Sequence, residues 1–287
     1  MFTTLTLGVL EDRVKLKSRA NLKEYNMRDA FRHVILQYDW GMMNQSIFAA
    51  LINWEGWLTT NYTRFADRGI DLAGAFDRNH SKDYQKSLAF SEVDWDKPKP
   101  WRIVGTAIEA ALLRRETLHG SRDKSDRYLF KLHGDIGHLH TMAIAGHDKE
   151  LTGPLSFEVD SLYEVYSAAE EYLRKMEPTK EENDITWHIV GHGLGDELLL
   201  QLITNVSSNL KFKQLRFVVV SVKEPPTAQL YNHLKHLKNQ SGLAIYGLTI
   251  KAAECLARIF NQGLPGENMA AWLEKMDVNF FLYEPNP

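Results

Sequence analysis

The sequence predicts an α/β fold, with a parallel sheet flanked by helices and a helical or irregular subdomain. Three observations carry this. β-prone runs alternate with helical patterns of about 10–15 residues through the second half of the chain, as βαβ units do. The run from Phe217 to Val222 is apolar without alternation and rich in β-branched residues, as in a strand covered on both faces. Three separated runs end abruptly in polar or glycine residues: Leu58 to Tyr62, Phe130 to Asp135 and Ile189 to Asp196. Buried parallel strands end this way where they open on a ligand crevice.

Taken in order, residues 22–53 read as helical. Met27, Phe31, Val34 and Ile35 share a stripe, and Asn44 is placed to cap a second helix ending at Ile52. Trp57 to Thr60 reads as a short strand. From Arg64 to Pro100 the pattern is lost in a polar stretch with Asp94, Asp96, Pro98 and Pro100, so 64–120 is expected to hold an irregular and helical insertion. Within it, Thr106 to Leu118 is helical, with Ile108, Leu112 and Leu113 as its apolar face. Tyr128 to His133 is a strand, and Val159 to Met176 an amphipathic helix with Leu162, Val165, Tyr166, Ala169 and Leu173 on one stripe. A polar linker at 178–184 precedes the strand Thr186 to Val190 and the helix Asp196 to Val206. After the strand ending at Val222 come a helix (Thr227 to Lys238), a strand (Leu243 to Leu248) and a helix (Thr249 to Phe260) with a core stripe of Ile250, Ala253, Leu256, Ala257 and Phe260. Met269 to Met276 is the last helix. With no repeat and no compositional break, residues 1–287 read as a single domain with a Rossmann-like sheet.

Composition narrows the function. The 287 residues are 44% hydrophobic and 25% charged, with a net charge of −3, which gives no broad basic field for nucleic acid or an anionic membrane. No apolar run approaches the ~20 residues that span a bilayer, and Glu11 and Asp12 cut short the apolar stretch from Leu5 to Leu10, so Met1 to Ala20 does not read as a secretory signal. The single cysteine, Cys255, rules out an internal disulfide and a four-cysteine zinc site, and suits a reducing cytoplasmic compartment. His138, His140 and His147 lack the spacing of a helical ligand pair, so no metal site is expected.

Candidate functional residues sit at the strand ends. Asn61 can orient a water or sugar hydroxyl without adding charge, or can simply shape a turn. His133, followed by Gly134, is a candidate general base, because a histidine ordinarily changes charge in the neutral range. Gly191, His192, Gly193, Leu194 and Gly195 form a turn that permits close approach of a phosphate or ribose at a helix start, with Asp196 as the helix N-cap. Ser221 and Lys223 end the next strand, within positional reach of an adenine or ribose.

In their order, Thr59-Thr60-Asn61-Tyr62, Lys131-Leu132-His133-Gly134-Asp135 and Gly191-His192-Gly193-Leu194-Gly195-Asp196 resemble the sirtuin-like domains of bacterial NAD-consuming effectors. These are divergent relatives of the sirtuin protein deacylases, often found in antiphage defence, and the resemblance spans roughly residues 45–260. It implies that Asn61 and His133 are the catalytic pair. It also implies that Thr59 and Thr60 lie beside the nicotinamide ribose, and that Gly191, His192 and Gly193 contact ADP-ribose. The implied activity is NAD hydrolysis to nicotinamide and ADP-ribose, without zinc, in a homo-oligomer or with a partner such as an ATPase or nuclease. Thr63 stands where the family usually has aspartate. The family's opening Gly-Ala-Gly-x-Ser loop has no counterpart, since Gly8-Val9-Leu10-Glu11 offers one glycine and a repelling carboxylate. The alternative is therefore a catalytically degenerate NAD- or ADP-ribose-binding subunit of a defence complex, with a deacylase third. The apolar segment Met269 to Met276 with Phe280, Phe281, Leu282 and Tyr283 is expected to pack on its own sheet or to be covered by another subunit.

Overall fold

The computed structural model describes residues 43–52, 54–61, 64–71, 101–119, 127–134, 156–175, 184–209, 214–238, 242–266 and 268–285. The architecture is α/β, with parallel strands flanked by helices. The chain divides into two compact units with the boundary at Ala168 and Ala169, Leu51 and Ile52 grouping with the second.

Unit 1 contains α1 (Met43–Leu51), β1 (Gly56–Thr59), α2 (65–71), β2 (Trp101–Val104), α3 (Ala107–Leu118), β3 (Arg127–Lys131) and the start of α4 (Ser156–Arg174). Its sheet is parallel in the order β1-β3-β2. All five residues of the central strand β3 are buried, so its flanking neighbours seal it sideways and the helices above and below. Arg127, buried in this setting, lies over the Trp101 ring at 4.4 Å. On β2, Arg102 clasps both carboxylate oxygens of Glu116 from α3 and lies over Tyr128 at 5.6 Å. The Arg102 hydrogen bond holds the Glu116 carboxyl below its usual range.

The turn from β2 into α3 is a capping box. Thr106 Oγ1 accepts from the Glu109 N–H, and Glu109 Oε2 accepts from the N–H groups of Thr106 and Gly105. The inward face of α3 is Ala110 and Leu113, one helical turn apart. Ile108 and Leu112, expected beside Leu113, are 75% and 50% exposed. The 100° step per residue carries them off the buried face. Asn44 is likewise not a cap, because it lies inside α1. α2 is pressed on α1 at Gly69, where an added Cβ would stand 2.6 Å from the Ser46 carbonyl carbon and oxygen.

Unit 2 holds the remainder of α4, then β4 (Asp184–Val190), α5 (Glu197–Asn209), β5 (Gln214–Ser221), α6 (Thr227–Leu234) with a 3₁₀ turn (Lys235–Leu237), β6 (Gly242–Thr249), α7 (Ala252–Gln262), α8 (Met269–Lys275) and β7 (Phe280–Leu282). The sheet order is β4-β5-β6-β7, parallel except for the antiparallel β6–β7 pair. Leu215 to Val220 of β5 are all buried, as the apolar run from Phe217 requires of a doubly covered strand, and buried Arg216 among them donates to Gln214 Oε1. Adjacent residues of β4 point to opposite faces. Trp187 stacks on Phe217 with ring centres 6.4 Å apart, and His188 meets Trp272 of α8 edge-on at 5.9 Å. His188 keeps some exposed surface, but its Nε2 has none, and burial pushes the imidazole down to about 3. Arg258 of α7 donates to the carbonyls of Met276 and Asp277, so it satisfies the carboxyl-terminal turn of α8.

The strands expected near 57–60, 127–132, 186–190, 216–222 and 243–248 are all present. They pair within two sheets rather than one, and β2 and β7 are additions that the sequence reading did not contain. The apolar tail packs on its own unit. Met269, Trp272, Leu273 and Met276 are buried, while Phe281 and Leu282 of β7 are 42% and 48% exposed. The readings of 1–42, Tyr62, Thr63, the remainder of the 64–100 stretch from 72 on, Asp135, His138, His140, His147 and the linker at 178–184, except Asp184, which starts β4, lie outside the described residues. Among the described residues, no helix is long and apolar enough to cross a membrane.

Candidate functional site

The expected catalytic residues lie at the carboxyl edge of the unit 1 sheet. Thr59 of β1 is in register with Lys131 of β3, and the Leu132 N–H donates to the Thr59 carbonyl at 2.9 Å. Asn61 and His133 each lie two residues beyond that matched pair, on adjacent parallel strands. Sequence spacing alone separates them by 72 positions; strand order brings the two strand exits that carry them side by side.

Each is carried on a hydrogen-bonded turn. The Asn61 N–H donates to Thr59 Oγ1 at 3.2 Å, so Thr59 shapes the exit of β1 and leaves Asn61 exposed beside half-buried Thr60. The Gly134 N–H donates to the Lys131 carbonyl at 3.0 Å, which closes a four-residue turn with Leu132 and His133 at its centre. Gly134 has φ 85°, a conformation that favours glycine. Leu132 is buried and anchors the turn, while His133 is half-buried.

Lys131 stands in the second motif, where sequence alone assigns it no role. It is 0% exposed, and its Nζ donates to Asp67 Oδ2 of α2 at 2.9 Å. Its stem packs on Gly105 at the end of β2, where an added Cβ would stand 3.3 Å from Lys131 Cβ. Taking an ammonium out of water costs several kcal/mol, which the paired carboxylate offsets.

The glycine-rich turn is at the corresponding edge of the unit 2 sheet. The Gly191 N–H donates to the Val220 carbonyl at 2.9 Å, so the turn starts beside the end of β5 next to Ser221. Gly191 has φ 69° and Leu194, fully buried, φ 54°. The Leu194 N–H donates to His192 Nδ1 at 2.9 Å, so in the neutral ring the proton resides on Nε2 and the imidazole braces the loop. Gln229 Nε2 donates to the Leu194 carbonyl at 2.6 Å, tying the loop to α6. Added Cβ atoms at Gly193 and Gly195 would meet nothing within 4 Å, so no protein atom requires glycine there.

Asp196 is the N-cap of α5, as the sequence suggested. Its Oδ1 accepts from the N–H groups of Leu198 and Leu199 at 3.0 and 3.2 Å. This alters the chemistry expected at the turn. A carboxylate already occupies the first-turn donors of α5, so the loop suits sugar hydroxyls better than a phosphate. Ser221 is half-buried, and its Oγ accepts from the Lys223 N–H at 3.3 Å. Beyond it, an open groove of about 380 Å³ is lined in part by Val222, Thr249, Lys251, Glu254, Arg258 and Asn279. Charges of both signs line it, and sequence reasoning did not find it because β6, α7 and the 277–279 turn meet only in the fold.

The structure thus brings Thr59, Thr60, Asn61 and His133 to one sheet edge, and Gly191, His192, Gly193 and Ser221 to the edge of the other sheet. Among the described residues, no three His, Cys, Asp or Glu side chains group as metal ligands would. No protein-family model, curated protein or solved structure matches this chain.

Proposed function

We propose that the protein is a sirtuin-like NAD glycohydrolase, with a Rossmann-like sheet, that cleaves NAD to nicotinamide and ADP-ribose. The observation that carries this reading is the placing of Asn61 and His133 two residues beyond the matched pair Thr59 and Lys131 on adjacent parallel strands. The reaction breaks the N-glycosidic bond. Nicotinamide leaves as a neutral base, the ribose develops oxocarbenium character, and water adds at the anomeric carbon with release of one proton. His133 takes a proton from the water or a ribose hydroxyl, and Asn61 orients the water. Thr59 and Thr60 belong to the nicotinamide-ribose end. Gly191, His192, Gly193 and Ser221 are assigned to the ADP-ribose part, with the Asp196 cap suiting ribose hydroxyls. The biological setting that accompanies this reading is a cytoplasmic antiphage effector acting as a homo-oligomer or with an ATPase or nuclease partner.

The test is nicotinamide release from NAD by purified protein. A general base contributes about 10² to 10⁴-fold, so His133→Ala should lose activity by that factor. Equal rates for wild type and His133→Ala would remove His133 from the mechanism. Calorimetric titration with ADP-ribose runs alongside: binding without turnover assigns the degenerate binding subunit instead.

A further inference from the structure

We propose that the buried Lys131–Asp67 ion pair is a positioning device that holds the Asn61-bearing segment and the His133-bearing turn at a fixed separation. The role rests on the NAD-cleavage reading for its consequence in catalysis, but not for its geometry.

Lys131 is where the three strand ends of unit 1 converge. Its backbone is in register with Thr59, whose hydroxyl accepts from the Asn61 N–H. Its carbonyl closes the turn on which His133 rides. Its stem packs on Gly105, which begins the loop after β2. Its ammonium reaches Asp67, six residues after Asn61 on the helix that this segment enters. That far end cannot drift, because Gly69, two residues on, abuts the backbone of Ser46. The pair therefore ties α2 to Lys131, and through Lys131 to both the exit of β1 and the turn that carries His133.

A fully buried lysine is a poor choice for stability alone. A well-packed apolar pair of similar volume usually does as well or better, because it carries no desolvation cost. A charge-assisted hydrogen bond supplies direction and a single length, which apolar contact does not. Groups that must meet a substrate with sub-ångström tolerance gain from that.

The discriminating variant is the double replacement Lys131→Met with Asp67→Leu, which removes both charges and leaves neither partner buried alone. Lys131→Met by itself is the second variant, since the Asp67 carboxylate is 21% exposed and tolerates loss of its partner. Hydrogen exchange is measured at the Asn61, Leu132 and Gly134 amides, with Leu129 and Phe130 in β3 as references. The expected result is a loss of protection of roughly tenfold or more at the three turn amides with the references unchanged. Unchanged turn amides would overturn the proposal, and so would equal losses at turns and references, which would mark a structural role only. In the nicotinamide assay the double variant should lower kcat about tenfold to 10²-fold with KM unchanged. A kcat equal to that of wild type would also overturn it. A wild-type protein with no activity would sink the NAD-cleavage reading alone, and the exchange data would still decide the positioning role.

Discussion

Acidification should weaken unit 2 through one side chain, His188. An unfolded imidazole titrates near 6.5, whereas the folded one is pushed down to about 3 by burial. Below about pH 6.5 the unfolded chain therefore binds a proton that the folded chain refuses. The stability is present in full above that pH and is lost as pH falls toward the folded value. One pH unit corresponds to 1.36 kcal/mol. Near pH 5 the loss is thus about 2 kcal/mol, an upper figure because part of His188 stays exposed. The readout is the opening free energy of unit 2 from hydrogen exchange at the Val218 to Val220 amides in mid-β5, corrected for intrinsic rates. His188→Phe keeps an aromatic ring against Trp272 and removes the titration, so carboxylate contributions cancel in the comparison. Wild type should lose about 2 kcal/mol more than His188→Phe between about pH 7 and about pH 5. Equal losses in the two proteins would refute the argument.

The glycine-rich turn gives a contrast within one loop. Gly191→Ala should destabilise unit 2 by about 1 kcal/mol through its positive φ. Gly193→Ala and Gly195→Ala should leave urea midpoints unchanged, and Gly193→Ala should weaken ADP-ribose binding; a loss of stability at either position would contradict the open space around it. Cys255 is buried, and its thiol is pushed up to about 12 chiefly by burial, so it should resist thiol reagents in the native protein and react on unfolding. Rapid native labelling would show that α7 does not pack as described.

Legibility in the sequence followed how local the determinants were. β5 could be read from its own residues, since six consecutive buried positions must all be apolar or paired. The helix over Thr106 to Leu118 was visible from its helical spacing, and the Asp196 cap because capping is a matter of three or four residues. β2 was missed, since Trp101 to Val104 is too short to show a period and follows a polar, proline-containing stretch. β7 was missed for a related reason: three residues become a strand only by pairing with β6, more than 30 positions earlier. The outward face of α3 was misread because Ile108 and Leu112 have helical spacing, and spacing cannot tell which of two stripes finds a neighbour. For the site, the strand ends were found from their residue types. The pairing of β1 with β3 that sets the Asn61 and His133 exits side by side was not, because it depends on the order β1-β3-β2. Lys131 was invisible as a functional residue, because its partner Asp67 lies 64 positions away and a lysine at a strand end normally reads as solvated.

The ring of Phe281 rests on Gly247, where even a methyl group would collide with it. β6 is eight residues long and would otherwise offer a run of unpaired amides and carbonyls, a template for any passing strand. The Gly247–Phe281 fit, with the Tyr283 N–H donating to Ile245, closes part of that template with a segment of the same molecule. Along the paired stretch, what remains outward is a strand of only three residues. Gly247 is thus a guard against stray strand addition along this edge as much as a packing detail, and a side chain there would collide with the Phe281 ring that helps to close it.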